Sequence, residues 1–114
     1  MRSTQARLEF IYTPVFEASI RGLLDDDGMR LVEMELLENP ESGDLIKETG
    51  GVRKLRAALP GRGKRGGARI IYFYVTMRQR VYFLLGYSKN RKVDLTPGEK
   101  RTLRALARAL EAED

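Results

Sequence analysis

The chain has 114 residues, 42% hydrophobic and 32% charged, and a net charge of +5; that length is one domain, residues 1–114, with enough apolar material for one core. It contains neither cysteine nor histidine, which excludes disulfides and thiolate zinc sites and removes both the usual general base at neutral pH and the commonest metal ligand. No apolar run approaches the ~18 residues of a membrane span, and the polar start at Met1-Arg2-Ser3-Thr4-Gln5 leads into no signal-peptide-like segment, so a cytoplasmic location is expected.

The elements follow in order. Arg7–Tyr12 alternates enough for a first strand. Pro14 suits the first turn of a helix with Thr13 as N-cap, and Val15, Phe16, Ile20, Leu23 and Leu24 recur at helical spacing. Asp25-Asp26-Asp27-Gly28 ends that helix and caps a second, populated by Met29, Leu31, Val32, Met34, Leu36 and Leu37 and stopped near Asn39-Pro40. Capping accounts for the three aspartates better than a Mg²⁺ site, because no further ligand spacing accompanies them. Glu41–Gly51 reads as a long connection. Three strands are then expected: Val52–Leu59, Ala68–Thr76 and Val81–Ser88. Between the first two lies Pro60–Gly67, read as a flexible basic loop because four of its eight residues are glycine. It lacks the spacing of a nucleotide-binding P-loop. Thr96-Pro97-Gly98-Glu99 fits a capping box with proline at N1, opening a last helix through Leu103, Leu106, Ala107 and Leu110. The order β-α-α-β-β-β-α defines an α+β domain: a small, mostly antiparallel sheet with two N-terminal helices and one C-terminal helix.

The net charge conceals a polarised molecule. From Arg53 to Lys92 there are twelve basic residues and no acidic one, whereas residues 1–52 carry five basic and eleven acidic residues. Such a region suits a polyanion. On the strand 52–59, alternation places Lys54 and Arg56 on one face and Leu55, Ala57 and Leu59 on the other, toward the core. The exposed pair reads either as a solvated sheet face or as a phosphate-binding row, and the absence of nearby carboxylates favours the row. On the next strand Ile71, Phe73 and Val75 are expected in the core, with Tyr72 and Tyr74 on the opposite face. On the last strand Val81, Phe83, Leu85 and Tyr87 alternate with Tyr82, Leu84, Gly86 and Ser88. Strand tyrosines are usually half-buried packing, but among cations they also suit base stacking.

Three segments together, GDLIKETGGVRKLR (43–56), GKRGGARIIYFY (63–74) and YFLLGYSKN (82–90) followed by DLTPGEK, resemble the RelE superfamily of toxin–antitoxin toxins. Within it they are most similar to the HigB-type branch, which has a long glycine-rich basic hairpin. The resemblance implies a RelE-like fold and a ribosome-dependent mRNA endonuclease that cuts in the ribosomal A site without a metal or other cofactor, neutralised by a cognate antitoxin. In that chemistry the 2′-hydroxyl attacks the adjacent phosphate and a 5′-hydroxyl leaves. This needs charge stabilisation at phosphorus, a base and an acid.

Carried over position by position, the resemblance implies Arg69 on the scissile phosphate, Lys54 and Arg56 as basic partners on the preceding strand, and Lys89 after the last strand. Tyr87 is implied in stacking or proton transfer. Arg53, Arg62, Lys64, Arg65, Tyr72, Tyr74, Asn90, Arg91 and Lys92 are expected to contact RNA. The pattern departs from the family twice. RelE proper has a catalytic tyrosine in the terminal helix, and this helix has no aromatic residue, which moves that role to Tyr72 or Tyr87 or leaves it unfilled. An acidic residue is expected after Asn90, where Arg91 stands. The competing expectations are a ParE-like toxin that binds DNA gyrase without cutting RNA, and a catalytically decayed RNA-binding module.

Overall fold

The computed structural model describes residues 7–59, 63–92 and 94–113, with residues 63–66 described by their backbone. Strand β1 (Glu9–Tyr12) leads into helix α1 (Pro14–Ile20) and helix α2 (Asp26–Glu38). The strands β2 (Asp44–Leu45), β3 (Arg53–Leu59), β4 (Gly63–Val75) and β5 (Arg80–Ser88) come next, and helix α3 (Pro97–Ala112) closes the fold. They form one five-stranded sheet in the order β1-β5-β4-β3-β2. All pairs are antiparallel except β1 with β5, whose connection through α1, α2 and the hairpin permits a parallel return.

The helix starts obey local capping chemistry. The Thr13 hydroxyl accepts from Phe16 N and the Asp25 carboxylate from Gly28 N, confirming the aspartate run as a cap. Thr96 and Glu99 form the complete capping box of α3. Helix α1 stops at Ile20, earlier than the apolar spacing suggested. Leu23 and Leu24 then pack from the connecting turn, where Gly22 takes a positive φ of 78°.

Both faces of the sheet are covered. Phe16, Ile20, Met29, Val32 and Leu36 of α1 and α2 pack on Leu55, Ala57, Ile70, Tyr72, Val81 and Phe83. Leu103, Ala107 and Leu110 of α3 pack on Val52, Ile71, Phe73, Val75, Tyr82, Leu84 and Tyr87. The strand β4 is therefore core on both faces, where the sequence was read as burying Ile71, Phe73 and Val75 alone. Phe83 anchors the first layer, stacked on Phe16 at 5.1 Å and tilted against Tyr12 at 4.9 Å.

Two expectations are corrected. The glycine-rich segment is not a loop throughout: from Gly63 it is β4, paired back to Leu59 across an irregularity between Ala57 and Leu59. A waiting partner strand outweighs the low strand propensity of glycine, and bulges are where glycine is tolerated in sheets. The connection 41–51 also contributes a short edge strand, β2, paired to Lys54 and Arg53. Gly43 precedes it against Tyr72, and a Cβ there would lie 2.8 Å from that ring.

Candidate active site

A β-bulge sets the geometry of the site. Tyr72 pairs with Phe83, but Ile71 pairs with Leu85, so β5 carries one extra residue, Leu84, at this point. Simple alternation would have put Tyr87 on the face of Val81 and Phe83. The inserted residue reverses the parity, and Tyr87 packs instead with Val52, Ile71 and Leu84 on the α3 side. There it stands directly opposite Arg69, which stands directly opposite Arg56. Three strands thus bring Arg56, Arg69 and Tyr87 into one row, with Lys54 two residues along β3 on the same face.

The row breaks ordinary rules of sheet stability. Like charges directly opposite one another are destabilising, yet Arg56 faces Arg69. Arg69 is 7% exposed, an unusual burial for an arginine, and one of its bonds goes from Nη1 to the Ala68 carbonyl at 3.3 Å. Tyr87 is 8% exposed, and its buried hydroxyl has no hydrogen-bond partner among the described residues. Burial pushes the Tyr87 pKa up, and the negative charge of Asp94 adds to this against the opposing pull of Arg69. The phenol therefore holds its proton at neutral pH. Asp94 Oδ1 lies 3.9 Å from Lys54 Nζ at the rim of the same face. The sequence reading overlooked Asp94. Its signal was available, since it is the first carboxylate after the acid-free stretch ending at Lys92.

The other candidates divide. Lys89 is exposed in the turn after β5, and its backbone N–H bonds the Gly67 carbonyl at 3.1 Å, tying that turn to β4 beside Arg69. Asn90 and Arg91 are exposed in the same turn, held by bonds to Ser88. Lys92 instead clamps both oxygens of Glu99, at 2.7 and 2.6 Å, which with the capping bond holds the Glu99 carboxyl below its usual range. Arg53 lies on the opposite face from Lys54, donating to the carbonyls of Glu41 and Gly43 at 3.0 and 2.8 Å. Lys64 and Arg65 lie on the strand backbone of β4, and Arg62 falls outside the described residues.

The structure takes Tyr72 and Tyr74 away from the row. Tyr72 is fully buried on the α1/α2 face, where its hydroxyl donates to the Pro40 carbonyl at 2.8 Å and accepts from Gly43 N at 3.0 Å. A ring in that position stacks on no base. Tyr74 packs at the edge of the same layer. Among the described residues no group of three or more His, Cys, Asp or Glu side chains could hold a metal ion, and no helix is long and apolar enough to cross a membrane.

The fold is that of a toxin from a toxin–antitoxin system. The family model of the RelE toxin of the RelE/RelB toxin–antitoxin system matches residues 33–114, and the chain belongs to that family. A solved structure of the Escherichia coli toxin RelE, an arginine double mutant in the free state, is similar in fold. Its TM-score is 0.56 at 13% identity, covering 87% of this chain and 95% of that one. Membership of the family implies a cognate antitoxin as partner.

Proposed function

We propose that the chain is a ribosome-dependent mRNA endonuclease of the HigB-type branch, cutting by attack of a 2′-hydroxyl on the adjacent phosphate without a metal. The observation that carries this is the in-register row Arg56–Arg69–Tyr87, which combines two cations with a protonated, unpartnered phenol. The length of the β3–β4 hairpin supports the branch.

Phosphoryl transfer places negative charge on the non-bridging oxygens as the pentacovalent state forms. Arg69, fixed within the sheet, and Arg56 beside it stabilise that charge, and Lys54 and Lys89 extend the positive field to the flanking phosphates. The 2′-oxygen bonds to phosphorus while the bond to the 5′-oxygen breaks, giving a 2′,3′-cyclic phosphate and a 5′-hydroxyl. The departing oxygen takes a proton from Tyr87, whose raised pKa keeps the phenol protonated. Asp94 accepts the proton of the 2′-hydroxyl, and Lys54 holds its carboxylate at the rim. Asn90 and Arg91 meet the RNA from the turn after β5. Lys92 and Arg53 act indirectly, through α3 and the β2 connection.

The test uses purified protein and ribosomes programmed with an mRNA carrying a single 2′-deoxynucleotide at the mapped cut. Cleavage of the all-ribose message to a 5′-hydroxyl end, with none in the deoxy form, is expected. Cleavage of the deoxy form would overturn the mechanism. An intact message together with inhibited DNA gyrase would replace the reading with a ParE-like one.

A further inference from the structure

We infer that α3 carries a second RNA-binding element, a cationic row of Lys100, Arg104 and Arg108 flanked by Arg101, which receives RNA backbone leading away from the cleavage row. The inference rests on the nuclease reading above and extends it to residues outside the basic region 53–92.

The helix has three distinct sides. Leu103, Ala107 and Leu110 face the core. Thr102 and Leu106 line an apolar groove with Leu84 and Leu85 toward β5. Lys100, Arg104 and Arg108 recur every four residues along the remaining side, about 6 Å apart along the axis. Arg101, Arg104 and Arg108 are exposed, and among the described residues no hydrogen bond or ion pair holds the side chain of any of the four. This side faces the start of β3: a Cβ on Gly50, two residues before Val52, would lie 3.8 Å from Arg104 Cγ. The row therefore runs on the side of α3 from which Lys54 and Arg56 project. Its near end adjoins the site through Lys92, Glu99 and Asp94.

The placement of these cations opposes helix stability. A helix favours acidic residues in its first turns and basic ones in its last. Here Lys100 and Arg101 stand near the N-terminus, the last turn has no basic residue, and Glu111 and Glu113 stand there instead. Arg78 supplies the missing positive end from another element, donating to the carbonyls of Leu110 and Glu111. Helix propensity accommodates these residues, but neither capping nor the helix dipole gives a reason for their placement. A row of unpaired cations at regular spacing, continuous with a phosphate-binding face, complements a polyanion.

The probe is a 2′-O-methyl oligoribonucleotide of about twenty nucleotides, which binds without being cut. The wild-type chain is compared with the triple variant Lys100→Gln, Arg104→Gln, Arg108→Gln. A control, Arg21→Gln, Arg30→Gln, removes positive charge from the α1/α2 side of the sheet. The α3 variant is expected to bind at least tenfold more weakly at low salt, with a salt-dependence slope shallower by about 2, since each single-strand phosphate contact contributes roughly 0.7. The control should bind as wild type, and the α3 variant should melt no lower than wild type, because the cations it loses oppose the helix. Equal weakening in both variants would reduce the effect to net charge and overturn the row. So would unchanged binding by the α3 variant, including the case where it escapes only the antitoxin, which would assign the row to protein. A wild-type chain that does not bind the oligonucleotide would overturn the row and leave the ribosome-dependent reading to its own test.

Discussion

The two faces of this sheet handle polar groups in opposite ways. On the α1/α2 face the Tyr72 hydroxyl has both a donor and an acceptor, and Arg53 ends on two carbonyls. Those groups fix the connection 40–45 onto the sheet, as buried polar groups do when stability is their purpose. On the α3 face Arg56 confronts Arg69, and a buried phenol has no partner among the described residues. Such arrangements lower stability and persist where chemistry requires them. On the proposed function, the contrast separates structural from functional residues of the same types on the two faces of one sheet.

Arg69→Ala is the sharpest way to break the comparison. In the proposed mechanism it removes the cation at the scissile phosphate, and cleavage on the ribosome should fall by about 10³ or more. Retained cleavage would move the site elsewhere. Tyr87→Phe should lower cleavage by about 10² while raising stability by about 1 kcal/mol, because a buried hydroxyl without a partner is removed. Urea unfolding and single-turnover cleavage check the two halves, and a variant that is less stable and fully active contradicts both. Tyr72→Phe is the mirror experiment. It leaves Gly43 N–H and the Pro40 carbonyl without their partner and should cost about 1–3 kcal/mol of stability, with cleavage per folded molecule unchanged.

The smallest effect concerns the clamp at the start of α3. The Glu99 pKa is lowered by its bonds to Lys92 and to the cap backbone, so its contribution is complete above the ordinary carboxylate pKa. It is lost as pH falls through the lower folded value. The pair is solvent-screened, so Glu99→Gln should cost less than about 1 kcal/mol. The variant's deficit in urea midpoint, present at neutral pH, should disappear on acidification. A deficit that persists in acid would refute the assignment.

Much of this was legible in the chain. Thr13-Pro14, Asp25 and Thr96-Pro97 announce helix starts through side-chain chemistry that acts within a few residues, and each start is where it was read. The cation row on β3 followed from alternation, since Leu55 and Ala57 leave Lys54 and Arg56 on the other face. What was not legible depends on partners distant in sequence. The extra residue Leu84 shifts Tyr87 onto the face of Arg69, and a bulge is a property of two strands together, not of either alone. Tyr72 looked like Tyr87 in sequence because its two hydrogen-bond partners, Pro40 and Gly43, lie about thirty residues away. The glycine-rich segment looked like a loop because glycine has a low intrinsic strand preference, which pairing with Leu59 overrides. Of its basic residues, Arg62 lies outside the described residues.

One measurement tests the division of the two faces directly. Wild type, Arg69→Ala and Tyr72→Phe are induced side by side in cells lacking the antitoxin, and mRNA 5′ ends are mapped. New 5′-hydroxyl ends within translated frames should appear with wild type and with Tyr72→Phe at matched folded protein, and be absent with Arg69→Ala. The same ends with Arg69→Ala, or their loss in Tyr72→Phe alone, would place the chemistry on the other face and contradict the account.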